Sequence, residues 1–175
     1  MRPGITIPDA TTQPAAYKAA LLELLGEGDP IDVIADTTVR ARAMCEEVPA
    51  EKLTLTPEPD EWSARDVLAH LFDVDIVYGF RWRLVLTEDN PSYPGYNEKL
   101  FTPLPRLDFW PMFGAWEGLR ASNLALLRGT PRTLWQRTGV HSEQGPETFE
   151  EMVQKLAAHD VAHLDQLERT LEAVA

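Results

Sequence analysis

Residues 148–170 read TFEEMVQKLAAHDVAHLDQLERT, and this stretch decides the fold. Phe149, Met152, Val153, Leu156, Leu164 and Leu167, with Leu171 just beyond, recur at three- and four-residue steps, the period of a helix that buries one face. Thr148 followed three residues later by Glu151 forms a capping box, which specifies where that helix begins. His159 and His163 lie four apart on it, about 40° of rotation and roughly 6 Å of rise. Two imidazoles so placed can reach one metal ion, although a core or solvated histidine pair has the same spacing.

The next most informative stretch lies upstream. Trp62 precedes Ser63, a good N-cap with Asp66 at the third helical position, and a helix is expected from there to about Leu86. It carries two apolar stripes. Val67, Leu71, Val74, Tyr78 and Val85 form the first; Leu68, Phe72, Ile76 and Phe80 form the second at four-residue steps. A helix apolar on two sides must be covered on two sides, either by the N-terminal helix or by another subunit. Four exposed apolar residues would exceed what monomers usually tolerate, so a homodimer is expected. His70 falls at the edge of the first stripe and points into the bundle. Asp75 lies between the stripes and needs a donor, and Arg81 is expected to make a structural ion pair rather than to clamp a substrate.

The remaining chain supplies two further long helices. Residues 15–25 form a short helix stopped by Gly26 and Gly28, and residues 1–14 read as a poorly ordered arm. Asp29-Pro30 opens a helix running to about Val48, followed by a link with Pro57 and Pro59. Residues 87–106 are a proline-rich loop whose aromatics suit a packed cover, and 108–127 form the fourth long helix. Residues 133–140 are β-prone, and 139–147 a polar turn in which His141 is expected to face solvent. The result is an all-α bundle in one domain, 15–175.

Composition narrows the function classes. The chain of 175 residues is 44% hydrophobic and 25% charged, ordinary for a globular protein. A formal charge of −12 argues against nucleic-acid backbones and anionic membranes as partners. The single cysteine, Cys45, cannot form an internal disulfide. No run approaches a membrane span, and MRPGITIPDATTQ holds no apolar core of signal-peptide length, so a cytoplasmic location is expected.

The candidate site is therefore His70 on one long helix with His159 and His163 on another, three neutral nitrogens that would leave coordination positions open. Around these residues the chain resembles a known family. Trp62-Ser63, AHLFDVD at 69–75, GVHSEQG at 139–145 with Thr148 after it, and HDVAHLDQLE at 159–168 are similar to the DinB-like superfamily, closest to its metal-dependent hydrolases. The resemblance covers about residues 20–172. It implies an up-down-down-up four-helix bundle, here with a short extra N-terminal helix, commonly dimeric, holding a divalent metal on three side chains. Carried over, those ligands are His70, His159 and His163. Relatives include thiol S-transferases and a mycothiol-dependent isomerase. The isomerase-type motif has Glu where this chain has His159.

Helical phase adds Asp160, at the centre of the apolar face, about 60° from His163 and 100° from His159. A buried carboxylate needs a partner: the free ring nitrogen of His70, which it would orient, or a helix-linking donor such as the Trp62 indole. Two functions follow. In one, the metal (zinc, nickel or iron) activates a water or a low-molecular-weight thiol against a small-molecule substrate, in a cavity at the bundle end under the loop 87–106. In the other, the protein is a non-catalytic metal-binding or interaction protein.

Overall fold

The computed structural model describes residues 5, 6, 8 and 12–175, so most of the expected arm, 1–14, lies outside the described residues. Among the described residues six α-helices are present: α1 (Pro14–Leu25), α2 (Pro30–Cys45), α3 (Ala64–Thr87), the short α4 (Glu98–Phe101), α5 (Phe109–Gly129) and α6 (Phe149–Ala173). Their starts are the ones that the caps dictate. Asp29 accepts from the Ile31 amide ahead of α2. Ser63 with Asp66, and Thr148 with Glu151, close reciprocal capping boxes on α3 and α6.

The four long helices form the bundle, with α2 and α3 each packing against both α5 and α6. Two apolar clusters fill it. One holds Ala41, Cys45, Val67, Leu71, Phe113, Trp116, Leu164 and Leu167; the other holds Ile34, Val74, Val85, Leu124, Leu127, Phe149, Met152 and Leu156. The order in which each helix meets these clusters gives its direction. α2 and α6 pass from the second cluster to the first, whereas α3 and α5 pass from the first to the second. The topology is up-down-down-up. Because α3 and α5 are sequential and parallel, the chain between them must return the length of the bundle, which is why a long connection stands there.

That connection carries more structure than a bare loop. β1 (Ser92–Tyr93) pairs parallel with β2 (Thr138–His141), which pairs antiparallel with β3 (Gly145–Thr148). The polar turn is thus a hairpin whose Gly145 has φ 79°, a left-handed conformation that glycine adopts without strain. A small sheet therefore accompanies the helical bundle. Arg106 anchors the far end of the connection by a two-pronged ion pair with Asp73, at 2.7 and 2.5 Å, and by a bond to the Phe101 carbonyl.

α1 packs on α6. It is not the cover of the second α3 stripe, of which Leu68 is buried, Phe72 half-buried, and Ile76 and Phe80 are 48% and 59% exposed. No described helix is long and apolar enough to cross a membrane.

Candidate metal centre

Between the two apolar clusters each long helix contributes polar side chains to one buried layer: Thr37 from α2, Asp75 from α3, Arg120 and Asn123 from α5, and Asp160 from α6, all at most 1% exposed. Arg120 is the hub. Its Nε donates to Asp75 at 2.7 Å, and its Nη1 and Nη2 donate to Asp160. Asp75 also accepts from the Trp116 indole at 2.6 Å and from Asn123, and Asp160 from the Thr37 hydroxyl at 3.0 Å. Asp75 and Asp160 thus find their donors on α5 and α2. The partners expected for Asp160, His70 and Trp62, are not the ones it has. The reason is helical phase: a 100° step separates the side that carries His159 and faces α3 from the side that carries Asp160. Burial pushes the Asp75 carboxyl above its ordinary range. Burial acts the same way on Asp160, but the Arg120 guanidinium and the His159 ring outweigh it and hold that carboxyl low. Arg120 is thus shared between two carboxyl groups, of which burial favours the neutral form in Asp75 and Arg120 the charged form in Asp160.

His70, His159 and His163 meet on the α3–α6 face of this layer, with one ring nitrogen from each within 4.8 Å of the others. Nε2 of His70 and Nε2 of His159 are 2.9 Å apart. A tetrahedral ion with bonds of about 2 Å would space its nitrogens by about 3.3 Å, inside that range. Nδ1 of His163 faces Gln166 Oε1 at 2.7 Å, so its proton belongs on Nδ1 and its Nε2 lone pair is free. Nδ1 of His159 is buried without a hydrogen-bond partner among the described residues, 4.0 Å from Asp160 Oδ1. Burial, followed by the neighbouring imidazoles, pushes His70 far down and His163 down to about 3. Both are neutral at pH 7, the form that ligates metal. Trp62 stacks on His163 and lies 5.0 Å, ring to ring, from His70. These features fit a cation: three convergent lone-pair donors, and an orphaned ring nitrogen beside a carboxylate that is held in its charged form.

The histidines lie on the wall of a cavity of about 510 Å³. Its walls are α3 from His70 to Arg81 and α6 from His159 to Arg169, with residues of α1 and of the 88–108 connection beside them. Tyr17 of α1, Tyr96 and Glu98 of the crossover, and Ile5 and Pro8 from the described part of the arm complete it. His141 also lines it and is 4% exposed, not solvent-facing as its polar neighbours suggest. Its Nδ1 accepts from the amides of Glu143 and Gln144, and its ring meets Tyr93 edge-on. Burial, then Arg81, lowers its pKa to about 4. Among the described residues Arg81 makes no ion pair. It donates to the Pro94 carbonyl and lies over the rings of Tyr93 and Tyr78.

Two residues escaped sequence reasoning. Arg120 had a visible signal, since Phe113, Trp116, Arg120, Asn123 and Leu127 follow one stripe and a charge in such a stripe demands partners. Gln166, one turn after His163, is an ordinary polar residue with no signal of its own.

Fold and cluster together define a helical-bundle protein with a candidate three-histidine metal centre at mid-height. The chain belongs to the DinB superfamily, whose model matches residues 34–167. Among solved structures it is similar to YfiT from Bacillus subtilis, described as "a probable metal-dependent hydrolase with an unusual four-helix bundle topology". The two share 21% identity and a TM-score of 0.71, over 98% of this chain and 94% of that one. No curated protein matches the sequence significantly.

Proposed function

We propose that this chain is a metal-dependent enzyme acting on a small molecule, with one divalent ion held by His70, His159 and His163. The observation that carries the reading is the three-nitrogen cluster on the wall of a 510 Å³ cavity. The description of YfiT as "a probable metal-dependent hydrolase" supports it. Bound there, the ion would supply Lewis acidity, lowering the pKa of a water or thiol so that it attacks at neutral pH. The reaction class is therefore hydrolysis or thiol S-transfer, and zinc, nickel and iron all suit an all-imidazole set.

The protein's own contribution is orientation and shielding. Asp160, held by Arg120 and Thr37, stands beside Nδ1 of His159 and favours the tautomer that leaves Nε2 free. Gln166 does the same for His163. The indole of Trp62 covers the rings of His163 and His70, and Tyr17 and Tyr78 line the same cavity. We also read the exposed Ile76 and Phe80 as part of a homodimer seam, and the unpaired Cys45 as suited to the cytoplasm.

Metal analysis of the purified protein tests the assignment. About one ion per chain is expected, lost in His159→Ala and retained in His141→Ala. Equal metal content in the two variants would sink it.

A further inference from the structure

Arg81 is 6% exposed, lines the cavity, and stands apart from the other buried cations. Arg120 has Asp75 and Asp160, and Lys155 has Glu147. Arg81 has no carboxylate among the described residues. One nitrogen, Nη2, donates to the Pro94 carbonyl; Nε and Nη1 make no hydrogen bond among those residues. Neither nitrogen is sealed from solvent, so both are open to the cavity, where an anion can take the place of water on a guanidinium fork.

Several donors share the cavity with it. Tyr17, Tyr78 and Tyr96 line the same space, and their hydroxyls bond to no described residue. Burial drives all three phenols well above their ordinary range, so each keeps its proton. His141 accepts two backbone amides at Nδ1, which places its proton on Nε2. The nearby Glu147 is taken up by Lys155 and the Tyr93 hydroxyl. Glu98 and Glu143 reach the cavity from exposed positions on its rim.

We propose that Arg81 is the anion anchor of this cavity and sets its specificity: the substrate is a small organic oxyanion whose charged end binds Nε and Nη1 of Arg81 while its other end reaches the histidine cluster. Arg81 follows His70 by eleven residues on α3, about 16 Å along the axis. Helical side chains lean toward the N-terminus, so the long arginine reaches back toward His70 and the span to be bridged is shorter than that. This inference rests on the metal-centre reading for the reactive end of the substrate, not for the anchor itself.

The test titrates zinc-loaded full-length protein, by calorimetry, with ω-mercapto carboxylic acids of increasing length. Uncharged ω-mercapto alcohols and ω-mercaptoalkyl phosphates of the same lengths are run beside them. The acids or the phosphates should bind about 10- to 100-fold more tightly than the alcohols, the worth of a charge-assisted contact. Which series gains more identifies the anion. Arg81→Gln, which keeps a donor for Pro94, should remove the preference and leave alcohol binding unchanged. Arg81→Lys should retain part of it. Equal binding of charged and uncharged probes by the wild type, or a preference that survives in Arg81→Gln, overturns the proposal. Failure of the metal centre shows separately, as zinc content indifferent to His159→Ala. Inorganic phosphate binding to metal-free protein then decides: at least tenfold weakening in Arg81→Gln upholds the anchor, and no change rejects it.

Discussion

Asp160→Asn separates the two things Asp160 does. In the wild type its carboxylate has no exposed surface, accepts from Nη1 and Nη2 of Arg120 and from Thr37, and stands 4.0 Å from Nδ1 of His159. Asparagine keeps one oxygen, enough for Thr37 and one arm of Arg120. Its NH₂ group then meets either the second arm of Arg120, at 3.3 Å in the wild type, or the His159 ring, and both present hydrogens when the ring is protonated at Nδ1. One charge-assisted bond is lost, about 2–3 kcal/mol. For a chain of this size that lowers Tm by roughly 5–10 °C. Separately, the loss of the carboxylate beside His159 should weaken metal affinity about 10- to 100-fold. Thermal unfolding of the metal-free protein measures the first effect, and a zinc competition titration the second. A lowered Tm with unchanged zinc affinity would mean that Asp160 serves Arg120 alone. An unchanged Tm would contradict its buried pairing altogether.

Acid should destabilise the metal-free protein. The fold keeps His70, His141 and His163 neutral, whereas the unfolded imidazoles protonate near 6.5, so the unfolded state binds more protons below that pH. Stability present above about 6.5 is therefore lost as the pH falls toward about 4 for His141 and about 3 for His163. Urea unfolding across that range should show it, with a shallower slope in His141→Asn; an identical slope refutes the assignment. Gly139→Ala should cost about 1–3 kcal/mol, because its Cβ would meet Tyr93 at 2.7 Å and Val85 at 2.8 Å; an unchanged denaturation midpoint would mean that the crossover yields freely. Light scattering should report a dimer that Ile76→Glu with Phe80→Glu converts to monomer, and a wild-type monomer at micromolar concentration rejects the seam. Replacing Asp75, Arg120 and Asp160 together by Leu, Met and Leu should preserve stability, as apolar substitutes for buried ion clusters often do, yet weaken zinc binding. Equal zinc affinity in that variant would make the layer purely structural.

The sequence was most readable where local signals stand alone. Reciprocal caps at Ser63 and Thr148, the proline after Asp29 and the apolar period of α6 each depend on residues within one turn, and the helices start where those signals put them. The convergence of His70 with His159 and His163 needed one further fact, that α3 packs on α6. What was hidden is long-range. His141 sits in a composition that reads as solvent-facing, and only the pairing of β2 with β1 and β3 buries it. Asp160 was placed correctly in the core by its phase, but phase alone does not say which helix lies opposite. From the sequence Arg81 is expected to make an ion pair rather than meet a substrate, because eleven residues, about 16 Å along the helix, separate it from His70, yet it makes no ion pair among the described residues. Its freedom is a property of the cavity, which no stretch of sequence encodes by itself.

The polar layer bears on why the candidate centre lies at mid-height. A continuous apolar core would permit the four helices to slide by a turn with little penalty, since leucine against leucine is nearly equivalent at either register. Thr37, Asp75, Arg120, Asn123 and Asp160 bond only when α2, α3, α5 and α6 are all at one height. A shift of one helix by a turn, about 5.4 Å, would strand a buried charge at a cost of about 3–5 kcal/mol. The histidines lie next to this layer, His159 one residue and His163 three from Asp160, and His70 five from Asp75, so they inherit the most strictly registered level of the bundle. The Asp160 carboxylate, held in its charged form by Arg120 and His159, stands at that level too. Register and charge thus both favour this height for three imidazoles meant to converge on a cation.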